Sequence, residues 1–167
     1  NKPIVWTLCD MWPITGLNHY DNYKENALWK KKNFFKKKSF SLDRWLISRK
    51  IKSWKNINIV SPSKWLFECS KESVITHKFK KYIIPWPIDR NIFKRRDKIK
   101  LRKKYKIPIN KKYIIYNAYN GIKDPRKGWD YLLKAIKISK ESFDLLIIGE
   151  KKNLKIKEIK NKKIFSL

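Results

Sequence analysis

Two neighbouring cations late in the chain have the residue types and the position for chemistry on a phosphate group. Arg126 and Lys127 stand in a turn directly before Gly128, and the apolar spacing after Gly128 predicts a helix. The N-terminus of a helix in an α/β protein attracts phosphate through its unpaired backbone N–H groups and its dipole. A guanidinium and an ammonium beside it predict a site that stabilises the charge on a departing diphosphate. The alternative is an ordinary surface turn in a lysine-rich chain.

A thiol and a carboxylate follow the first apolar run of the chain. Residues 3–8 predict a buried β-strand, which ends at Cys9 and Asp10. Because α/β folds bind their ligands at the carboxyl ends of parallel strands, Asp10 is a candidate catalytic residue, with a loop or helix cap as the alternative. Cys9 is a candidate for a direct catalytic role, and the alternative is a small buried side chain.

Other candidate residues fall at the ends of later strands. Asn117 and Asn120 follow a predicted strand over 113–116, where their amides could touch a phosphate or a sugar. Gly149 follows the next predicted strand, over 143–148. A glycine at that place either lets a nucleotide approach the backbone closely or forms a simple turn.

The elements that would position these residues alternate between strands and helices. Besides the strands already named, the patterns predict strands over 57–61, 82–84 and 164–167 and helices over 42–55, 61–73, 94–105 and 129–139. Residues 11–39 show no clean period and predict a long loop with one short helix. Strands that alternate with helices indicate an α/β fold with mainly parallel sheets.

A proline pair marks the predicted linker between two domains. Residues 85–89 read Pro-Trp-Pro-Ile-Asp, and two prolines at alternate positions force an extended backbone. We therefore expect one domain over 1–88 and another over 89–167. Because both ends of the chain run into apolar, strand-like segments, we also expect it to be a fragment of a longer protein.

The composition excludes several classes of protein. Hydrophobic residues make up 42% of the chain and aromatic residues 14%, which excludes simple disorder. No apolar run is as long as a membrane-spanning helix, and two cysteines make neither a disulfide framework nor a zinc site. We expect the tryptophans at strand and helix spacing to lie mostly in the core, although aromatic faces can stack on sugars; these are Trp12, Trp45, Trp65 and Trp129.

The charge is extreme but does not by itself indicate nucleic-acid binding. The formal net charge is +29, from 36 Lys and 7 Arg against 14 acidic residues. Arginine, with its planar fork, is the usual reader of phosphates and bases, and here it is scarce. The lysines are also spread along the chain, which indicates a solvated surface. Some attraction to an anionic membrane is an expected by-product.

Three sequence segments together resemble the family 4 glycosyltransferases of the GT-B fold, in the bacterial branch that builds exopolysaccharides and lipopolysaccharide-like glycans. The first, residues 6–16, reads WTLCDMWPITG and is followed by His19-Tyr20; the branch commonly has W-T-x-H-D-M-W-P-x-T-G-G-C-H-Y. The second is SPSKWL at 61–66 with IPWPIDRNIF at 84–93, and the third is DPRKGW at 124–129. The segments keep the order of the family, and the resemblance extends over most of the chain.

The resemblance implies a retaining glycosyltransferase built from parts of two Rossmann-like domains with parallel sheets. Residues 1–88 would be the C-terminal part of the acceptor-side domain, and residues 89–167 would be the first half of the nucleotide-sugar domain. The family's pair of glutamates separated by seven residues lies further along and is absent here. A nucleotide-diphosphate sugar would be the donor, and the acceptor would be a glycan or a lipid-linked glycan. No cofactor or metal is expected, because the transfer would be metal-independent.

The resemblance also assigns roles to individual residues. Arg126 and Lys127 would contact the donor diphosphate. Asp10 keeps the family's aspartate, whereas Cys9 replaces the family's histidine, which would face the reacting sugar. The acceptor loop would be shaped and lined by Thr15, Gly16, His19 and Tyr20.

Two other functions stay open from the sequence. One is a basic nucleic-acid-binding α/β protein, and the other is a catalytically silent homologue of the transferases, as the replacement at Cys9 suggests. Under the transferase interpretation we expect a cytoplasmic protein with peripheral contact at the inner face of the membrane.

Overall fold

The computed structural model describes residues 2–21, 25–36, 40–119 and 121–149, together with the backbone of 164–166. Within these ranges the strands form two three-stranded sheets, and every strand pair is parallel. The chain divides into two compact units, Asn1–Phe93 and Lys94–Leu167. The protein is therefore of the α/β class with open parallel sheets, as predicted. The division falls at Phe93, whereas the sequence interpretation placed the domain boundary at residue 88.

The first unit places its sheet strands in chain order. Its strands are β1 (Ile4–Thr7), β2 (Ile57–Ser61) and β3 (Lys80–Ile83), and its helices are α1 (Lys31–Phe34), α2 (Leu42–Ser53) and α3 (Lys64–Glu72). A 3₁₀ turn spans Trp12–Ile14. In the register of β1 and β2, Trp6 lies beside Ile59. All three carboxyl ends consequently meet at one edge of this sheet.

Serine side chains cap the N-termini of the two longer helices of the first unit. Ser41 accepts a hydrogen bond from the N–H of Arg44, and Ser63 accepts one from the N–H of Leu66. The side chains thus satisfy backbone donors that the first helical turn leaves unpaired. The predicted helix over 61–73 starts later than expected, because Ser63 is its cap and Pro62 lies outside it.

The core of the first unit collects side chains from its sheet, its loops and its helices. Leu8, Met11, Ile14, Ile59 and Ile75 are all fully buried there. The prediction that residues 3–8 form a buried strand was wrong in part. Ile4 and Val5 are exposed, because β1 lies at the edge of the sheet.

Helix α2 turns a different face to the core than its apolar spacing suggests. Ile47 and Lys50 are its buried residues, whereas Leu42 and Trp45 are exposed. The expectation that these tryptophans lie in the core holds for Trp129, which is buried. It fails for Trp12, Trp45 and Trp65, which are exposed.

The second unit repeats the strand–helix–strand pattern. It contains α4 (Lys98–Lys104), β4 (Tyr113–Asn117), a 3₁₀ turn (Pro125–Lys127), α5 (Trp129–Ile138), β5 (Asp144–Ile148) and β6 (Ile164–Ser166). The strand order is β4-β5-β6. Helix α5 packs Trp129, Leu133 and Ile136 against Leu145 and Ile147 of the central strand. The helix predicted over 94–105 is shorter than expected, because Asp97 caps its start.

No helix in the described ranges is long and apolar enough to cross a membrane.

Candidate functional site

Two of the predicted site residues form a direct pair just beyond the carboxyl end of β1. Asp10 Oδ2 lies 2.6 Å from Nδ1 of His19. The other carboxylate oxygen, Oδ1, accepts a hydrogen bond of 2.9 Å from the N–H of Trp12. Asp10 therefore orders the following turn, as its loop-cap alternative predicted, and also contacts an imidazole.

The Asp10–His19 pair is accessible from solvent. The His19 side chain is 69% exposed and that of Asp10 is 25% exposed. A backbone hydrogen bond of 2.8 Å from the N–H of Met11 to the carbonyl of His19 holds the two ends of the loop together. The contact with the carboxylate uses Nδ1 of His19 and not the other ring nitrogen, Nε2.

Cys9 and Tyr20 lie next to this pair in the chain and are both exposed. The Cys9 sulfur is 3.9 Å from the carbonyl oxygen of Thr7. The alternative of a small buried Cys9 is therefore wrong.

Thr15 and Gly16 hold the loop together from inside. Thr15 is buried, and its hydroxyl donates to the carbonyl of Asn18. Gly16 packs so closely on Asp43 of α2 that an added Cβ would lie 1.9 Å from Asp43 Oδ1 and 2.7 Å from the Asp43 carbonyl oxygen. The same Oδ1 accepts a hydrogen bond of 2.9 Å from the N–H of Leu17. These residues shape the loop, and a glycine at position 16 is a steric requirement.

A buried lysine of α2, which the sequence interpretation did not single out, anchors the same loop. Lys50 is 6% exposed, and its ammonium donates to the carbonyls of Trp12 (2.6 Å), Thr15 (2.9 Å) and Gly16 (3.0 Å). Burial lowers the pKa of Lys50 to about 8, against the opposing attraction of Asp43 and Asp10. The sequence gives no signal for it, because the apolar spacing of α2 predicts a different inward face from the one that holds Ile47 and Lys50.

Three tryptophans pack together beside the lysine anchor, and two of them contact its ammonium. The ring centres of Trp6 and Trp54 lie 4.9 Å apart, and each lies 6.2 Å from that of Trp12. The Lys50 ammonium lies 3.8 Å from the Trp12 ring centre and 5.6 Å from that of Trp54. The negative faces of the rings partly replace the water that the ammonium loses on burial. The loop that carries His19 is thus anchored to a packed cluster of Lys50 and aromatic rings.

In the second unit, Arg126 and Lys127 lie in the 3₁₀ turn before α5, as predicted. The Arg126 guanidinium binds both carboxylate oxygens of Asp124, with Nε 2.9 Å from Oδ1 and Nη2 2.7 Å from Oδ2. This contact, together with a hydrogen bond from the backbone N–H of Arg126, lowers the pKa of Asp124 to about 2. A diphosphate that binds here must compete with the carboxylate of Asp124 for the guanidinium. Lys127 is exposed, and its carbonyl accepts from the hydroxyl of Tyr116.

The strand ends of the second unit place Asn117 and Gly149 at the same sheet edge. Asn117 is the last residue of β4 and is exposed, and its register partner Ile148 directly precedes Gly149. Gly149 has φ +92°, and an added Cβ would lie 3.0 Å from the carbonyl carbon and oxygen of Ala118. The close approach that this glycine permits is thus to the neighbouring strand end. Asn120 lies outside the described residues.

Three grooves in the described part of the chain are lined by residues other than the predicted site residues. One lies between Pro3, Trp54 and Phe79, and another between Asn110 and Glu141. A third is lined by Glu25, Lys30, Lys71 and Glu72 together with Lys31 and Lys32. Among the described residues, no group of three His, Cys, Asp or Glu could hold a metal ion.

Comparison with protein-family models, with curated proteins and with solved structures found no match to this chain. The resemblance to the family 4 glycosyltransferases therefore stays a prediction from the sequence.

Proposed function

We propose that the chain is part of a glycosyltransferase that moves a sugar from a nucleotide-diphosphate sugar to a glycan or lipid-linked acceptor. The observation that carries the proposal is the 2.6 Å contact between Asp10 and His19 at the carboxyl end of β1. Ligand sites of α/β proteins lie at this edge of the sheet. A solvent-accessible carboxylate–imidazole pair at such a place is suited to moving a proton.

The Asp10–His19 pair supplies the acceptor side of the reaction. Asp10 holds Nδ1 and fixes the ring orientation, and Nε2 of His19 takes the proton from the acceptor hydroxyl, which attacks on the face that the diphosphate leaves, so the configuration is retained. The carboxylate then stabilises the imidazolium that forms. His19 thus provides an imidazole after β1 although Cys9 stands where the family has its histidine.

Arg126 and Lys127 supply the donor side. As the sugar bond breaks, negative charge grows on the departing diphosphate, and two cations beside the start of α5 stabilise it. Arg126 gives up its bidentate contact with Asp124 for an equivalent contact with phosphate oxygens.

A catalytically silent homologue is the second candidate, and a specific observation favours it. The carboxylate of Asp124 already binds Arg126, the arginine that would bind the donor: its Oδ2 lies 2.7 Å from Nη2. If that contact persists when a nucleotide is offered, the second unit binds no donor and the chain transfers no sugar.

The experiment measures nucleoside diphosphate release by the full-length protein from UDP-, GDP- and ADP-sugars, with and without glycan acceptors. We expect His19→Gln and Asp10→Asn to lower the rate by about 10²–10⁴, the contribution of one positioned proton-transfer group. His77→Gln is the matched control, because His77 is the only other histidine and its Nδ1 contacts the backbone carbonyl of Val74. Equal rates in all three variants would contradict the proposal.

A salt series distinguishes the nucleic-acid alternative. Nonspecific binding to nucleic acid falls steeply as salt rises, because it depends on the release of counterions. Binding of a nucleotide sugar in a shaped pocket persists. Tight nucleic-acid binding without any release of nucleoside diphosphate would favour the basic binding protein instead.

A further inference from the structure

A groove at the amino edge of the first sheet is lined by cations and amides. Its volume is about 570 Å³, and its polar lining residues are Lys55, Asn56, Asn58, Lys78 and Lys80. They precede or begin β2 and β3, whereas the Asp10–His19 pair lies beyond the carboxyl end of β1. Because the three strands are parallel, the groove is at the opposite edge of the sheet from the proposed site. We call it the amino-edge groove.

The amino-edge groove has no carboxylate in its lining, whereas the other two grooves contain glutamates. Residues 44–67 and 73–88, the two stretches that supply its polar side chains, contain no acidic residue. Among the described residues, Lys55, Lys78 and Lys80 form no ion pair. The positive charge of the groove is therefore not neutralised by the part of the chain that the structure describes.

The C-terminus of α2 opposes this charge only weakly. The helix ends at Ser53, and its dipole places about half a negative charge there. The ammonium of Lys78 donates a 3.4 Å hydrogen bond to the carbonyl of Ile51 in the last turn. The ammonium groups of Lys55 and Lys80 make no hydrogen bond within the described ranges, so two full charges face the groove beyond the one that meets the helix end.

The backbone holds the amino-edge groove in a fixed shape. The N–H of Ile4 donates a 3.1 Å hydrogen bond to the carbonyl of Asn56, which ties the turn between α2 and β2 to the first strand. Asn56 has φ +54°, a left-handed conformation that asparagine tolerates. Asn58 and Lys80 are register partners in β2 and β3 and so lie side by side. A groove that is already formed binds a ligand without the cost of ordering its own loops.

Two aromatic residues complete the lining. Trp54 and Phe79 line the groove and are partly buried against the core of the first unit. The ring centre of Trp54 lies 4.9 Å from that of Trp6, and the Lys78 ammonium lies 5.3 Å from the ring centre of Phe79. Small-molecule sites combine aromatic walls of this kind with a few polar groups that orient the ligand.

We propose that the amino-edge groove binds a phosphate monoester whose organic part is a ring, either a sugar or a nucleoside. Lysine binds phosphate as a point charge, whereas planar recognition of carboxylates is typical of arginine, which is absent from the lining. A phosphate monoester carries about 1.5 to 2 negative charges at neutral pH, which matches the ammonium groups of Lys55 and Lys80.

The remaining lining fits the organic part of such an ester. The amides of Asn56 and Asn58 donate and accept hydrogen bonds, as the hydroxyls of a sugar or the carbonyls of a base require. The volume of the groove lies within the range of about 300–1,000 Å³ that is typical of small-molecule sites. This second site goes beyond sugar transfer and does not depend on it.

The test is calorimetric titration of the full-length protein with glucose 6-phosphate, with UMP and with inorganic phosphate, at about 0.15 M salt to screen the remaining surface charge. All titrations are repeated with Arg126→Ala/Lys127→Ala, because a phosphate ester could also bind at the proposed donor site. Binding that survives in this background belongs to a different site, whether or not the proposed sugar transfer is correct.

Lys55→Gln/Lys80→Gln removes two charges from the groove, and both positions are exposed. The matched control is Lys36→Gln/Lys64→Gln, which removes two exposed charges of the same unit outside the groove. Asn56→Asp keeps the size of an exposed side chain but places a carboxylate beside the lysines.

We expect one phosphate ester to bind in a one-to-one complex and at least about tenfold more tightly than inorganic phosphate, and the tighter ester identifies the ring. Lys55→Gln/Lys80→Gln should weaken it by about tenfold or more, because charge-assisted contacts are lost, and Asn56→Asp should also weaken it. The control should stay within about twofold of wild type.

Four results would overturn the proposal. They are no binding of either ester, equal binding of inorganic phosphate, equal weakening by the groove variant and its control, and unchanged binding in Asn56→Asp. A ten-nucleotide oligothymidylate that binds more tightly than both esters and depends on Lys55 and Lys80 would overturn it as well, because the groove would then hold single-stranded nucleic acid.

Discussion

The ammonium of Lys50 contacts Trp12 twice, since it lies 3.8 Å from the ring centre and donates a 2.6 Å hydrogen bond to the backbone carbonyl of the same residue. Trp12 is the second residue after Asp10, and its N–H donates to that carboxylate. One buried side chain of α2 therefore sets the position of the turn from which the Asp10–His19 pair is built.

Replacing Lys50 by methionine should destabilise the first unit. Three backbone carbonyls lose their donor, and each unpaired buried polar group costs about 1–3 kcal/mol; the relief of burying a charge offsets part of that. We expect a net loss of about 1–3 kcal/mol in urea unfolding followed by tryptophan fluorescence. This signal reports the first unit, because it contains all the tryptophans except Trp129.

The control for the Lys50 prediction is Lys52→Met in the same helix, since Lys52 is exposed. It should change the free energy of unfolding by no more than about 0.5 kcal/mol. Equal effects of the two substitutions would mean that the three carbonyl contacts of Lys50 contribute nothing.

The stability of wild type relative to Lys50→Met should rise with pH in the alkaline range. Lys50 has a pKa of about 8 in the folded protein, below its ordinary value of 10.5. Between these two values the unfolded chain binds more protons than the folded one, so the contribution of Lys50 to stability increases with pH across that window. Urea unfolding of both proteins from neutral to strongly alkaline pH measures it. A stability difference that is constant or falls over this range would contradict the lowered pKa.

Gly16→Ala should distort the loop, because its Cβ would lie 1.9 Å from Asp43 Oδ1. Overpacking of this kind costs about 1–3 kcal/mol. Asp43→Ala in the same chain should relieve only part of the loss, because the Asp43 carbonyl oxygen stays 2.7 Å from the added atom. The double-mutant cycle in urea unfolding separates the two contacts, and full rescue by Asp43→Ala would show that the side chain alone sets the limit.

Cys9→Ser should change sugar transfer little, and Cys9→His should keep or raise it. The thiol is exposed beside the Asp10–His19 pair, and the family resemblance places a histidine there. Initial rates of nucleoside diphosphate release test both variants. A large loss in Cys9→Ser would point instead to a direct role for the sulfur.

The sequence predicts the elements of this fold better than it predicts which of their faces are buried. Helix α2 begins at Leu42 as predicted, because its cap, Ser41, acts locally, and the strand over 57–61 was found where it was predicted. The prediction that Val5 is buried failed, because the sequence pattern does not reveal that β1 lies at the sheet edge. Lys50 was missed for a related reason: its role depends on carbonyls more than thirty residues away.

The candidate site shows the same division between local and long-range information. Asp10 was identifiable from its place after a strand, but the pairing of Asp10 with His19 needs the loop between them to close. The contact of Arg126 with Asp124 spans only two residues, but the sequence pattern does not reveal it, because it depends on how the two side chains are oriented in the turn.

Arg126→Ala should lower kcat/KM for the nucleotide sugar. The expected loss of transition-state stabilisation is about 2–4 kcal/mol, which is typical of removing one preorganised donor to a developing charge. Lys127→Ala should do likewise, and the double variant should lose less than the sum of the two single losses, because both cations act on one diphosphate.

Asp124→Asn should strengthen the binding of nucleoside diphosphate. It removes the carboxylate that holds both Nε and Nη2 of Arg126, so nucleoside diphosphate affinity should rise. Calorimetric titration with nucleoside diphosphate alongside turnover measures each variant. Unchanged affinity and turnover in all of them would mean that this turn belongs to the lysine-rich surface, and the donor-site assignment would be withdrawn.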